Sequence, residues 1–175
     1  MNQNAEYSAV NDAVRGQFLR KVWALITPYW RSEEKFKAWL LLLVVLGLSL
    51  FSVAVSVWFN SWNRDFYNAL EKKDYDAFTH LLMYFSVIAV VAIVTGVFTS
   101  YLQQMLTIRW RRWLTETYFA KWLSEKNYYH LEYGGYTDNP DQRISEDLNA
   151  FTSSTLSLGL GFISNLVSLV SFSVI

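Results

Sequence analysis

The chain has no cysteine, and only two prolines and two histidines among its 175 residues. Without cysteine there is no disulfide framework and no thiolate metal site, and the compartment stays open. His80 and His130 stand far apart, and neither belongs to a metal-ligand spacing, so both read as interfacial residues. Basic and acidic side chains number 15 each, which leaves a formal net charge of +0. A nucleic-acid binder carries a basic excess that this chain lacks. No G-x-x-x-x-G-K-S/T run occurs, so there is no phosphate-cradling loop. Gly159-Leu160-Gly161 sits in an apolar run without the lysine, and its small residues read as points of close helix approach. No Ser/His/Asp or Cys/His arrangement can be assembled, and Glu33-Glu34 reads as solvated surface. Met1 to Lys37 holds no apolar h-region of the kind a secretory signal requires.

What the chain does have is apolar length. Hydrophobic residues make up 53% of it and gather into three blocks, each long enough to cross a bilayer core at about 1.5 Å per residue. The class is a polytopic, all-α membrane protein. The first block, about 38–59, carries no charge and is flanked by Trp39 and Trp58, as an aromatic belt would be. The second, about 81–106, meets no charge until Arg109, which is more than a bilayer core requires. The third, about 155–175, is still running at Ile175 with no flanking charge, and the expectation is a fragment of a longer protein.

Ahead of the first span, residues 1–13 are polar and read as a disordered N-terminus. Residues 14–37 read as an interfacial amphipathic helix. Phe18, Leu19, Val22, Trp23, Ile26 and Tyr29 recur at helical spacing while Arg15, Arg20 and Lys21 fall elsewhere around it. Pro28 is expected to end or bend this helix.

Orientation follows from Lys and Arg. Arg15, Arg20, Lys21, Arg31, Lys35 and Lys37 precede the first span, and Arg109, Arg111, Arg112, Lys121 and Lys126 follow the second, against Arg64, Lys72 and Lys73 between them. By the positive-inside rule the N-terminus is cytoplasmic, 60–80 faces outward, and 107–150 is a cytoplasmic excursion. This excursion carries nearly half of the charges. Its helical pattern persists to about Tyr129, with Leu106, Trp110, Trp113, Thr117 and Lys121 along one face. Gly134-Gly135 and Asp138-Asn139-Pro140 then break the chain. Asn139 is a good N-cap, Pro140 suits the first helical position and Gln142 stands where a capping-box partner would, so a short helix is expected at about 139–148. Ile144 and Leu148 share one face of it, with Glu146 and Asp147 beside them.

Polar residues in the second span, Thr95, Thr99, Ser100, Gln103 and Gln104, either line an aqueous cavity or bond neighbouring helices. No span holds an ionisable residue deep in its interior, where an ion or proton relay would need one. Arg64 and Asp65 are the nearest candidates at the outer mouth, where a local salt bridge is the simpler reading. The Arg109-Trp110-Arg111-Arg112-Trp113 cluster reads as an anchor at the membrane boundary. Three spans are too few to enclose a solute path.

The runs Leu106 to Thr115 (LTIRWRRWLT), Lys126 to Tyr129 (KNYY) and Thr137 to Asp147 (TDNPDQRISED) resemble the N-terminal membrane domain of bacterial ABC transporters whose permease and ATPase are fused. Those are related to the SbmA/BacA peptide transporters and to the peroxisomal fatty-acyl ABC half-transporters. Trp58 to Leu70 (WFNSWNRDFYNAL) also looks like the end of that family's first span.

The resemblance implies an exporter-type fold, of which this chain holds the first three of an expected six helices, preceded by an elbow helix. It implies membrane lipid, a second copy of the chain and a fused or separate nucleotide-binding domain as partners. ATP and Mg would bind on that domain, which is absent from this chain. The chain itself is then no enzyme and holds no cofactor, although the parent protein would hydrolyse ATP. Asn139, Pro140, Asp141, Gln142, Arg143, Glu146 and Asp147 would form or lead into the helix that couples to the ATPase domain. The expected activity is ATP-driven movement of a peptide-, antibiotic-, vitamin- or lipid-like solute across the bacterial inner membrane. A proton-driven SbmA/BacA-type transporter without ATPase, and a membrane-anchored interaction protein, are the alternatives.

Overall fold

The computed structural model describes residues 16–17, 20–123 and 140–173. Among them are α1 (residues 20–30), α2 (Lys35–Lys72), α3 (Tyr75–Leu123) and α4 (Pro140–Ser173). Each of the last three is long and apolar enough to cross a membrane, so the chain is an all-α, multi-pass membrane protein. The expected disorder of 1–13, the breaker Gly134-Gly135 and the Asn139 cap lie outside the described residues.

Two compact units divide at Trp39 and Leu40. In the first, the helix ends close to Pro28, as expected, so the amphipathic segment read over 14–37 is not helical throughout. Pro28 offers no N–H to the preceding turn, and α1 stops two residues later. The amides of Arg31 and Ser32 donate to the carbonyls of Pro28 (3.2 Å) and Tyr29 (3.1 Å), closing a tighter last turn. The Ser32 hydroxyl donates to the Tyr29 carbonyl at 2.7 Å and accepts from the Glu34 amide at 3.3 Å. Residues 35–37 therefore open α2 instead of closing α1. Trp30 packs against both Tyr29 and Trp39, with ring centroids 5.4 and 5.3 Å apart.

In the second unit α2 runs unbroken past Phe59, because no glycine or proline falls between Asn60 and Lys72. The stretch between the spans is helix except at a two-residue corner. Lys73 takes a left-handed conformation (φ 55). Its amide donates to the Leu70 carbonyl (3.1 Å), and the Asp74 amide to the Ala69 carbonyl (3.0 Å). This is the Schellman pattern, which satisfies the last carbonyls of a helix. Asp74 then caps α3, its Oδ1 accepting from the Ala77 amide at 3.0 Å.

From that corner α3 runs for 49 residues, about 70 Å at 1.5 Å per residue. A hydrocarbon core is about 30 Å thick, so more than half of α3 lies outside it. Near the corner α3 packs on α2 through Val55, Trp62 and Ile88, with Phe66, Leu81 and Val91 against them. At its other end it packs on α4. Between these two zones Ile93, Val97, Phe98 and Tyr101 are exposed, a surface suited to lipid or to further helices.

The helix expected at about 139–148 and the span expected from about 155 lie on one continuous helix. Nothing between Leu148 and Thr155 breaks a helix, and α4 passes straight through from Pro140 to Ser173. The hydroxyls of Thr152 and Ser153 fold back onto the carbonyls of Leu148 (2.9 Å) and Asn149 (2.8 Å), so these polar residues sit within the helix without interrupting it.

Candidate functional site where two spans meet

The far end of α3 and the first half of α4 form a seam. On α3 the buried residues are Leu106, Trp110 and Leu114, and on α4 Thr152, Leu156 and Leu160. Both sets recur every four residues, which places each along one helix face. The stripe expected through Trp113, Thr117 and Lys121 is thereby shifted. Leu114 is 1% exposed, whereas Trp113 and Thr117 are half-buried and Lys121 is exposed. A four-residue step follows the i±4 ridge of a straight helix, and that ridge is what faces α4.

Trp110 meets Phe151 edge-on, with ring centroids 5.9 Å apart and planes at 67°. One residue on, the Arg111 guanidinium crosses to α4. Its Nη1 donates to Asn149 Oδ1 at 3.3 Å and its Nη2 to Ser145 Oγ at 3.4 Å. Arg112 turns the other way and pairs with Glu116 on its own helix at 3.1 Å. The cluster taken from sequence as a membrane-boundary anchor thus contains one arginine that bridges two helices. Arginine just beyond an apolar run satisfies either role, so sequence could not separate them. The four-residue repeat Leu148, Thr152, Leu156, Leu160 was the available signal for the α4 side of the seam.

Of the residues expected to couple to an ATPase domain, Pro140, Asp141, Gln142, Arg143, Glu146 and Asp147 lie in the first turns of α4. Asn139 lies outside the described residues, as do the side chains of Pro140, Asp141, Arg143 and Ile144. Gln142 Nε2 donates to Glu146 Oε1 at 2.9 Å, one turn on. Glu146 and Asp147 are exposed.

The polar residues of the second span fall on and beside the packed stripe. Thr95 is buried at 6% exposure and its hydroxyl donates to the Val91 carbonyl at 2.7 Å. Thr99 is half-buried and donates to the Thr95 carbonyl at 2.7 Å. Gln103 is half-buried and Gln104 exposed. Arg64 and Asp65 form an exposed pair at 3.7 Å near the corner, worth little in water. Around Gly159 and Gly161, nothing described comes within 4 Å of where a Cβ would stand. No His/Cys/Asp/Glu group suited to a metal ion occurs among the described residues.

Residues 24–175 match the family described as ABC transporter transmembrane region 2. The chain is 41% identical, over 90% of its length, to the inner membrane ABC transporter ATP-binding protein YddA of Escherichia coli, and covers 28% of that protein. It is 38% identical, over 88% of its length, to the chloroplastic ABC transporter D family member 2 of Arabidopsis thaliana, covering 22% of it. Identity to the lysosomal cobalamin transporter ABCD4 of Homo sapiens is 28% over 77% of the chain, again 22% of the relative. No solved structure matches. The chain spans about a quarter of the length of the curated relatives it matches. By its match over 24–175, this chain belongs to the ABC transporter transmembrane region 2 family.

Proposed function

We propose that the chain is part of the permease of an ATP-driven transporter in a bacterial inner membrane. Its N-terminus and the 107–150 excursion face the cytoplasm, and a second copy of the chain completes the pathway. The transported solute is peptide-, antibiotic-, vitamin- or lipid-like. ATP and Mg bind a nucleotide-binding domain elsewhere in the assembly.

The observation that carries this reading is the continuity of α3 and α4 from apolar span to charged tip, with the two helices packed together along the way. A displacement applied at Pro140–Asp147 has no flexible joint in which to dissipate among the described residues. It tilts the membrane portions of both helices and opens or closes the space beside them. The three apolar runs hold no Asp, Glu, Lys, Arg or His, which favours ATP over a proton gradient as the driver on this chain's account. The relation to SbmA/BacA transporters suggested by the sequence runs is part of the same proposal.

The test is transport and ATP hydrolysis by the full-length protein in proteoliposomes, with Asp141 and Arg143 replaced by alanine. Hydrolysis that persists while transport falls is the expected result. Transport that follows an imposed proton gradient without ATP would sink the reading.

A further inference from the structure

The seam between α3 and α4 is not uniform along its length. Among the described side chains of α4 the buried positions begin at Thr152. Toward the helix start Leu148 is half-buried, and Ser145, Glu146, Asp147 and Asn149 are exposed. Around Ser145 to Asn149 the described α4 side chains thus contribute at most the half-buried Leu148 to the apolar packing. At this level Arg111 reaches across to Ser145 and Asn149.

The chemistry suits a clamp. A guanidinium presents five donors in a rigid planar fork, so one arginine can hold two acceptors at once. Ser145 and Asn149 stand one helical turn apart on the same face of α4, which is the spacing that two arms of the fork can span. Both acceptors are neutral, so the link does not depend on a carboxylate remaining ionised. The edge-on contact of Trp110 with Phe151 lies beside it and fixes the height of one helix against the other. A lysine at 111 would offer a single ammonium on a flexible stem, unable to hold both acceptors in one geometry.

We propose that Arg111 is the positioning residue that makes the first turns of α4 move with α3, so that the two helices act as one arm; this role rests on the coupling function proposed above. It does no chemistry and touches no solute. Its task is to stop the start of α4 from sliding or splaying against α3 when force reaches it.

The 175 residues contain no cysteine, so single-pair spin labels report without background from this region. Labels at Ala120 and Ala150, both exposed, are placed in the full-length protein in lipid nanodiscs, and their distance distribution is measured without nucleotide. Arg111→Ala and Arg111→Lys are expected to broaden it. The double variant Ser145→Ala/Asn149→Ala, which keeps the arginine and removes its acceptors, is expected to broaden it as well. In the same variants solute-stimulated ATP turnover should fall about five- to tenfold, the low end of usual coupling effects, while basal turnover holds. Bridging Arg111→Cys to Ser145→Cys with a short bifunctional thiol reagent should restore the stimulation.

An unchanged distance distribution in Arg111→Ala overturns the clamp. A broadened distribution with full stimulation overturns its role in coupling. If the unmutated protein shows no solute-dependent turnover, the transport reading fails, and the distance measurement still decides whether Arg111 joins the helices.

Discussion

The indole Nε1–H of Trp62, on α2, donates to the backbone carbonyl of Leu81, on α3, at 2.8 Å. That carbonyl belongs to the first turns of a regular helix, so the indole uses its second lone pair. The ring is 9% exposed and stacks on Phe59 and Phe66 at 5.4 and 5.0 Å, with Phe85 at 4.9 Å across the helix pair. Directional bond and stacked rings together set the height of α2 against α3, which greasy side chains alone leave free to slide.

Removing the ring and removing the bond should therefore separate in size. Trp62→Ala is expected to cost about 3–5 kcal/mol, the scale for deleting a large buried aromatic. Trp62→Phe keeps most of the stacking and leaves the Leu81 carbonyl in its helical bond, so it should cost about 0.5–1.5 kcal/mol. Denaturant unfolding of the protein in mixed micelles measures both, and equal losses would show that the hydrogen bond carries the contact.

At the corner the two residues pull in opposite directions. Lys73 holds a left-handed backbone that costs a side chain about 1–2 kcal/mol and glycine almost nothing. Lys73→Gly should stabilise the protein by up to about 1 kcal/mol. Asp74→Ala should destabilise it by about 1 kcal/mol by removing the cap on Ala77. Thermal midpoints in detergent should move up for the first and down for the second.

Thr152 has no exposed surface, and its hydroxyl is satisfied within its own helix by Leu148 and Asn149. Thr152→Leu adds volume where α3 and α4 are packed and should cost about 1–3 kcal/mol through overpacking. Thr152→Ser keeps the hydroxyl and deletes one methyl, for a cost of about 1 kcal/mol. The same unfolding assay ranks them, and a neutral Thr152→Leu would mean that the seam has room to spare.

Topology is open to direct labelling, because this chain contributes no cysteine of its own. Tyr75, 82% exposed at the corner, and Ala120, exposed near the far end of α3, are replaced one at a time by cysteine. A membrane-impermeant maleimide added to intact cells should label position 75 and reach position 120 only after permeabilisation. The reverse pattern would invert the orientation taken from the lysine and arginine distribution.

Much of the architecture was legible in the sequence. The lengths of the uncharged runs implied three spans, and the late appearance of Arg109 implied a second helix longer than the membrane. The corner was less legible, since a lysine in the left-handed region leaves no mark in sequence where a glycine would. Asn139-Pro140 reads in sequence as a helix start, and the absence of any breaker before Thr155 lets that helix run on into the third span. The end of α1 was legible, since Pro28 marks a helix end to within a turn.

Arg111 was hidden for a different cause. Its partners lie 34 and 38 residues away along the chain, and nothing in its neighbours distinguishes it from Arg109 or Arg112. The sequence by itself determined which stretches enter the membrane, because the cost of moving a residue from water into lipid depends on that residue and its immediate run. Only the tertiary structure decided which faces of those helices meet, and which of three neighbouring arginines joins α3 to α4. Those choices depend on side-chain reach and rotation about the helix axes, which arise only when two helices stand side by side.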